Sequence, residues 1–189
     1  MEETDTDHEC SLDDQRGRGK GWEERIQHKL LTQFFSGKQG ITCHHEFPIP
    51  IPKFANSQAA GKLGSVRADL VVDFGSYYEI IECKGWNHPI FDLATAFGQV
   101  ATYRALMETR DIFPNNERKE IQLGLCLIDG YPSKCSKWTQ AHDELLKALA
   151  RLDPHGISLY LACPISPEYA GKEHWDNLER QHVVLRSYR

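Results

Sequence analysis

The chain lacks the marks of several common protein classes. Its six cysteines, at 10, 43, 83, 126, 135 and 163, form no CxxC pair and match no zinc-finger spacing. The N-terminus is acidic and polar, without the apolar stretch of a secretory signal. A disulfide framework is therefore not expected, and the thiols are expected to be reduced. No apolar run approaches membrane-spanning length. Basic residues are outnumbered, 22 Lys and Arg against 27 Asp and Glu, for a net charge of −5. That excludes the overall positive field of a nonspecific nucleic-acid coat, while leaving room for a local basic groove. There is no Walker loop, no GxSxG and no GxGxxG. Neither an internal repeat nor a low-complexity tract is present. These absences point to a chain without a membrane segment, in the cytoplasm, or the nucleus if its source has one.

What remains is an ordinary globular composition. The 189 residues are 40% hydrophobic and 26% charged, enough for one domain with its own core. Residues 1–20 have almost no large apolar side chains and end on Arg16-Gly17-Arg18-Gly19-Lys20, so they read as a flexible arm with a basic end. Residues 21–165 carry the domain, and 166–189 form a C-terminal extension whose polar and aromatic composition gives no assignment.

Within the domain, Ile26, Leu30, Leu31 and Phe34 recur at helical spacing from Gly21, and Gly37 and Gly40 end the helix. Glu23 falls on the apolar stripe, where a charge needs a reason. Residues 41–51 read as an irregular or edge strand, because Pro48 and Pro50 cannot donate to a ladder. Residues 53–65 read as a loop. Two strands, "VRADLVVDF" and "YYEIIECK", flank Gly75-Ser76, a two-residue hairpin turn with glycine first. Helices are expected over 90–108 and 136–152, and strands over 121–128 and 157–163. The order α-β-β-β-α-β-α-β predicts an α/β fold with a mixed sheet flanked by helices.

The hairpin turn fixes a register. With Gly75 and Ser76 as loop, paired residue numbers sum to 151, and Asp69 falls opposite Glu82. Both carboxylates then point to one face, with Lys84 two residues beyond Glu82 on that face. Two like charges at such spacing, partly buried, repel and are costly to desolvate. A divalent cation relieves both problems, and magnesium takes one or two carboxylates with waters and phosphate oxygens. Asp69, Glu82 and Lys84 thus suit metal-assisted phosphodiester hydrolysis. Taken alone, Glu82–Lys84 reads more readily as a plain ion pair on a strand than as a catalytic pair. The same register sets Arg67 against Lys84, which requires that the ladder end first or that both meet an anion.

These residues resemble the PD-(D/E)xK nuclease superfamily, with Asp69 in "VRADLVV" and Glu82-Cys83-Lys84 in "IIECKG". Ala68 stands where that family usually has proline. Gln99 and Tyr103, four apart on the next helix, resemble the QxxxY signature of the RecB-like branch. "GWEERIQHKLL" is similar to the family's first helix, with Glu23 matching its inward glutamate and Glu24 in reserve; a carboxylate favoured by the helix dipole is the competing explanation. The resemblance spans about residues 21–128. It implies a restriction-endonuclease-like αβββαβ core and a Mg2+- or Mn2+-dependent deoxyribonuclease. Asp69, Glu82 and the Cys83 backbone carbonyl would hold the metal, supported by Glu23. Lys84 would position or activate water, and Gln99 and Tyr103 would place DNA. The alternative is a catalytically idle nuclease-fold subunit that binds DNA within a larger protein complex.

Some RecB-like nucleases carry an iron–sulfur cluster on one cysteine before the core and three clustered after it. Here Cys126, Cys135 and Cys163 are spread widely, so buried thiols are expected and no cluster. His44 and His45, adjacent on a strand, are expected to face opposite ways. Trp86-Asn87-His88 is expected at the mouth of the site.

Overall fold

The computed structural model describes residues 19–51, 64–84, 89–128, 139–164 and 181–189. The expected arm at 1–20, apart from its last two residues, the loop at 53–65, apart from its last two, and Trp86-Asn87-His88 lie outside these residues.

Helix α1 (Gly19–Lys29) runs directly into a π-helical turn, Leu30–Phe34. Ile26, Leu30 and Phe35 are buried on its inner side. Gly37 and Gly40 then adopt φ of +74°, which ends the helix. Six strands follow in one sheet whose spatial order equals chain order: β1 (Thr42–Pro50), β2 (Ser65–Asp73), β3 (Tyr77–Cys83), β4 (Glu120–Ile128), β5 (Ile157–Pro164) and β6 (Gln181–Tyr188). The first three form an antiparallel meander, β3, β4 and β5 run parallel, and β6 returns antiparallel. Pro48 and Pro50 sit in β1, an edge strand, where a missing N–H is tolerated.

Helix α2 (Pro89–Arg110) links β3 to β4, and α3 (Gln140–Ala150) precedes β5. One face of the sheet packs against α1 through Leu70, Val72, Ile81, Cys83, Cys126 and Tyr160. The other packs against α2 and α3 through residues such as Val71, Tyr78, Ile80, Val100, Met107 and Leu146. The protein is thus α/β, a mixed six-stranded sheet flanked by helices. Its α-β-β-β-α-β order is compatible with a restriction-endonuclease-like core.

The hairpin has the counted register: Leu70 faces Ile81 and Asp73 faces Tyr78. Gly75 has φ of +85°, and the Phe74 N–H donates to the Tyr77 carbonyl at 3.0 Å. The Asp73 carboxylate accepts the Gly75 N–H at 2.8 Å and pairs with Lys119 at 2.8 Å, tying the turn to the start of β4. In the 166–189 segment, Gln181–Tyr188 is the sixth strand, held to α3 by a Tyr188–Asp143 hydrogen bond. None of the described helices is long and apolar enough to cross a membrane.

Candidate active site

The sheet opens where β2 meets its two neighbours. Pairing of β2 with β3 stops at Leu70–Ile81, one rung short of Asp69–Glu82. Pairing with β1 passes from His45–Leu70 to Phe47–Ala68 and omits Glu46–Asp69. Glu46 has φ of +50°, a conformation few side-chain-bearing residues adopt. Side-chain alternation breaks at the same point. Leu70 and Val72 pack toward α1, but Ala68 and Val66 pack with the opposite cluster. On β1, Cys43 packs toward α1 whereas Phe47 and Ile49 pack away from it. Both strands therefore turn over at Glu46 and Asp69, and local strain of this kind concentrates at functional sites.

Asp69 uses the opening. Its Oδ2 accepts the Cys83 N–H at 2.7 Å, taking a donor that the ladder would otherwise have used. Sequence spacing put the two carboxylates side by side on one face. In the structure Asp69 bends to the backbone of β3, while Glu82 follows Tyr78 and Ile80 toward α2. The Arg67–Lys84 clash is avoided because the ladder has ended: Arg67 turns to Glu46 at 3.7 Å, and Lys84 Nζ donates to Glu82 Oε1 at 2.6 Å.

Glu82 is the electrostatic centre of the group. Its side chain is 4% exposed, and Oε2 is buried with no hydrogen-bond partner among the described residues. Burial, then the Asp69 charge, push its carboxyl up to about 7, against the pull of Lys84. Burial likewise raises Asp69, opposed by the Cys83 N–H and Lys84. For Lys84, burial favours the neutral amine, but Glu82, Glu23 and Asp69 together outweigh it and raise its pKa. Lys84 is thus a cation at neutral pH. The Cys83 thiol faces away, fully buried beside Cys126 in the α1-side cluster, and burial raises its pKa well above the usual range.

From α2, Tyr103 reaches the same place. Burial raises its pKa, and so does the nearby charge of Glu82. Gln99 Nε2 donates to the Tyr103 hydroxyl at 3.3 Å, and Gln99 Oε1 is buried without a partner among the described residues. From α1, Glu23 is half-buried and its charge acts on both Glu82 and Lys84. Glu24 is exposed.

Two further residues join: Gln27, which sequence reasoning missed, and His45, which it placed only on a face opposite His44. Gln27, buried at 5% exposure, lies close enough to Asp69 to favour its charged form. His45 Nε2 lies 2.9 Å from Gln27 Oε1. The available signal was helical spacing: Gln27 is four residues after Glu23 and so shares its face. His44 faces the other way, its ring 6.0 Å from that of Phe47.

The chemistry of the set fits a hard divalent cation. Among the described residues, no three His, Cys, Asp or Glu side chains gather as a ligand cage. Magnesium does not need one, since it binds through one or two carboxylates and keeps waters and phosphate oxygens in its remaining positions. Two neighbouring acids, with an unpartnered buried oxygen on Glu82 among the described residues, supply that donor set. No family model, curated protein or solved structure matches the chain.

Proposed function

We propose that the chain is a metal-dependent nuclease that hydrolyses DNA phosphodiester bonds. The observation that carries this reading is the state of Glu82. It is a buried carboxylate with one oxygen on Lys84, the other unpartnered among the described residues, and the Asp69 charge beside it. A purely structural ion pair gains nothing from a second acid that raises its pKa.

Asp69 and Glu82, with the Cys83 carbonyl and Glu23 in support, would hold Mg2+ or Mn2+. When bound, that ion supplies a Lewis acid for a phosphoryl oxygen and lowers the pKa of a water. Lys84, cationic at neutral pH, acts as a hydrogen-bond donor that orients the attacking water and offsets charge developing on phosphorus. Its raised pKa argues against a role as the base. Tyr103 and Gln99 present a hydroxyl and an amide oxygen at the α2 side, suited to placing the scissile strand. The compartment consistent with this reading is cytoplasmic, or nuclear if the source has a nucleus.

The test is cleavage of linear, circular and branched DNA by wild type and Asp69→Ala, with Mg2+, with Mn2+ and with EDTA. Metal-dependent cleavage by wild type alone supports the nuclease. DNA binding indifferent to EDTA, with no cleavage, favours the idle DNA-binding subunit of a larger complex instead.

A further inference from the structure

A cavity lies at the opposite end of the parallel strands from Glu82. It has a volume of about 320 Å3 and opens where α3 ends and β5 begins, with Gln122, Arg151, Asp153, His155, Gly156 and Arg189 in its lining. Gln122 faces Glu79 in the ladder, three residues before Glu82. The cavity is therefore roughly 10 Å from Glu82 along the strands, and β5 is two strands over from β3. It is separate from the acidic pair.

Gly156 builds this corner. It has φ of +77°, and a Cβ there would lie 2.0 Å from the Tyr188 carbonyl oxygen. Glycine lets the end of β6 pack this closely, which sets Arg189 beside the turn that carries Arg151 and His155. The negative groups at the corner are already matched. Asp153 is buried, with one carboxylate oxygen on Arg104 and the other accepting the His155 N–H at 2.9 Å. Glu120, outside the lining, accepts from Gln122 Nε2 at 3.0 Å and lies 3.1 Å from His155 Nδ1. The carbonyls of Leu149 and Ala150, at the end of α3, accept the N–H groups of Leu152 and Asp153. Arg151 and Arg189 are exposed and have no ion pair among the described residues. Two unpaired cations around one cavity repel each other, and an anion between them reverses that cost. The planar fork of arginine matches the oxygens of a phosphate. The volume is at the small end of the range for small-molecule sites.

We infer that this cavity binds a phosphate group, with Arg151 and Arg189 holding its oxygens and His155 and Gln122 beside them. The inference stands apart from the nuclease reading. A free phosphate, a nucleotide and a nucleic-acid backbone share this chemistry, and the experiment separates them.

The experiment uses the full chain in phosphate-free buffer with EDTA, so that no metal engages Asp69 and Glu82. Four probes are titrated in turn: inorganic phosphate, thymidine 5′-monophosphate, thymidine, and a short single-stranded oligonucleotide without a terminal phosphate. The readout is the amide NMR shift of Gln122 and Gly156. The variants are Arg151→Gln and Arg189→Gln. Lys147→Gln makes the same charge change one turn earlier on α3, outside the lining. All three positions are exposed, so the fold is retained. Both amides should shift with a phosphate-bearing probe and not with thymidine. Each arginine variant should bind about tenfold more weakly or worse, as for a lost hydrogen bond to a charged group. Lys147→Gln should bind as wild type does.

Saturation by inorganic phosphate or the monophosphate upholds the inference and identifies a free ion or ester as ligand. A response to the oligonucleotide alone, lost in both arginine variants, upholds it and identifies a backbone phosphate. If neither amide responds to any phosphate-bearing probe, or thymidine acts as well as its monophosphate, the inference is overturned. It is equally overturned if both arginine variants keep wild-type affinity or Lys147→Gln weakens binding as much as they do. No outcome involves metal, so the nuclease reading stands or falls by its own cleavage assay.

Discussion

Asp69 Oδ2 accepts the Cys83 N–H at 2.7 Å and so takes the place of the next rung between β2 and β3. The sheet opens there without orphaning a buried donor. The same contact sets a carboxylate charge next to Glu82. The break in pairing and the acidic pair are one feature.

Asp69→Asn separates the two roles. Asparagine keeps an oxygen for the Cys83 N–H and removes the charge. The fold should be retained, cleavage should be lost, and the Glu82 carboxyl should titrate below its wild-type value of about 7. Carboxyl-carbon NMR titration of both proteins reads this. A Glu82 that does not move would show that burial alone sets its pKa.

Glu82 should make stability pH-dependent in a defined direction. Its pKa rises from 4.5 to about 7 on folding, so the folded chain holds this proton more tightly than the unfolded one. The contribution is most favourable below about pH 4.5, declines as pH climbs toward 7 and is level above that. The decline is on the order of 3 kcal/mol. Glu82→Gln carries no charge to desolvate and still offers an oxygen to Lys84. It should melt above wild type at pH 8 and close to it at pH 4. Mg2+ at pH 8 should raise the melting temperature of wild type and leave that of the variant unchanged. Calorimetry at the two pH values measures all three differences.

Tyr103→Phe removes the hydroxyl and keeps the buried ring. Melting should change little, because among the described residues the hydroxyl receives one long hydrogen bond, from Gln99 at 3.3 Å. Cleavage should fall by roughly tenfold in kcat/KM, the size of one lost substrate contact. Steady-state kinetics on a short duplex separates this from a loss of stability.

Gly124→Ala tests the core away from the site. Glu79 is buried in β3, with its Oε2 accepting the Tyr160 hydroxyl at 2.6 Å. A Cβ on Gly124 would lie 2.8 Å from both Glu79 Oε1 and Ile81 Cγ1. The variant should lose about 1–3 kcal/mol, as overpacked cores do. Urea unfolding measures it, and an unchanged midpoint would contradict the packing.

Much of this site could be read from the chain because one turn counts the register. Gly75-Ser76 fixed which residues of β2 and β3 face each other, and the observed pairs obey that count up to Leu70–Ile81. Apolar periodicity gave α1, α2 and α3, and Pro48 and Pro50 marked the edge strand. The alternation rule failed at Asp69 in β2 and at Glu46 in β1, the latter at positive φ, which composition does not announce. Gln27 escaped notice because a neutral amide carries no charge conflict to flag it, and His45 could be placed on a face but not beside Gln27. Strand β6 was hidden by its mixed polar sequence, since an edge strand buries little.

Lys84 is where the reading is most exposed to contradiction. Its ammonium lies 2.6 Å from Glu82 and, in the nuclease reading, would sit beside the metal as a donor to the reacting group. Single-turnover cleavage of end-labelled DNA at saturating Mg2+ compares wild type with Lys84→Ala. Loss of one such charge-stabilising donor costs about 10²- to 10³-fold in rate, and that fall is expected with the variant still folded. Equal cleavage by the two proteins, or none by wild type with either metal, would contradict the assignment.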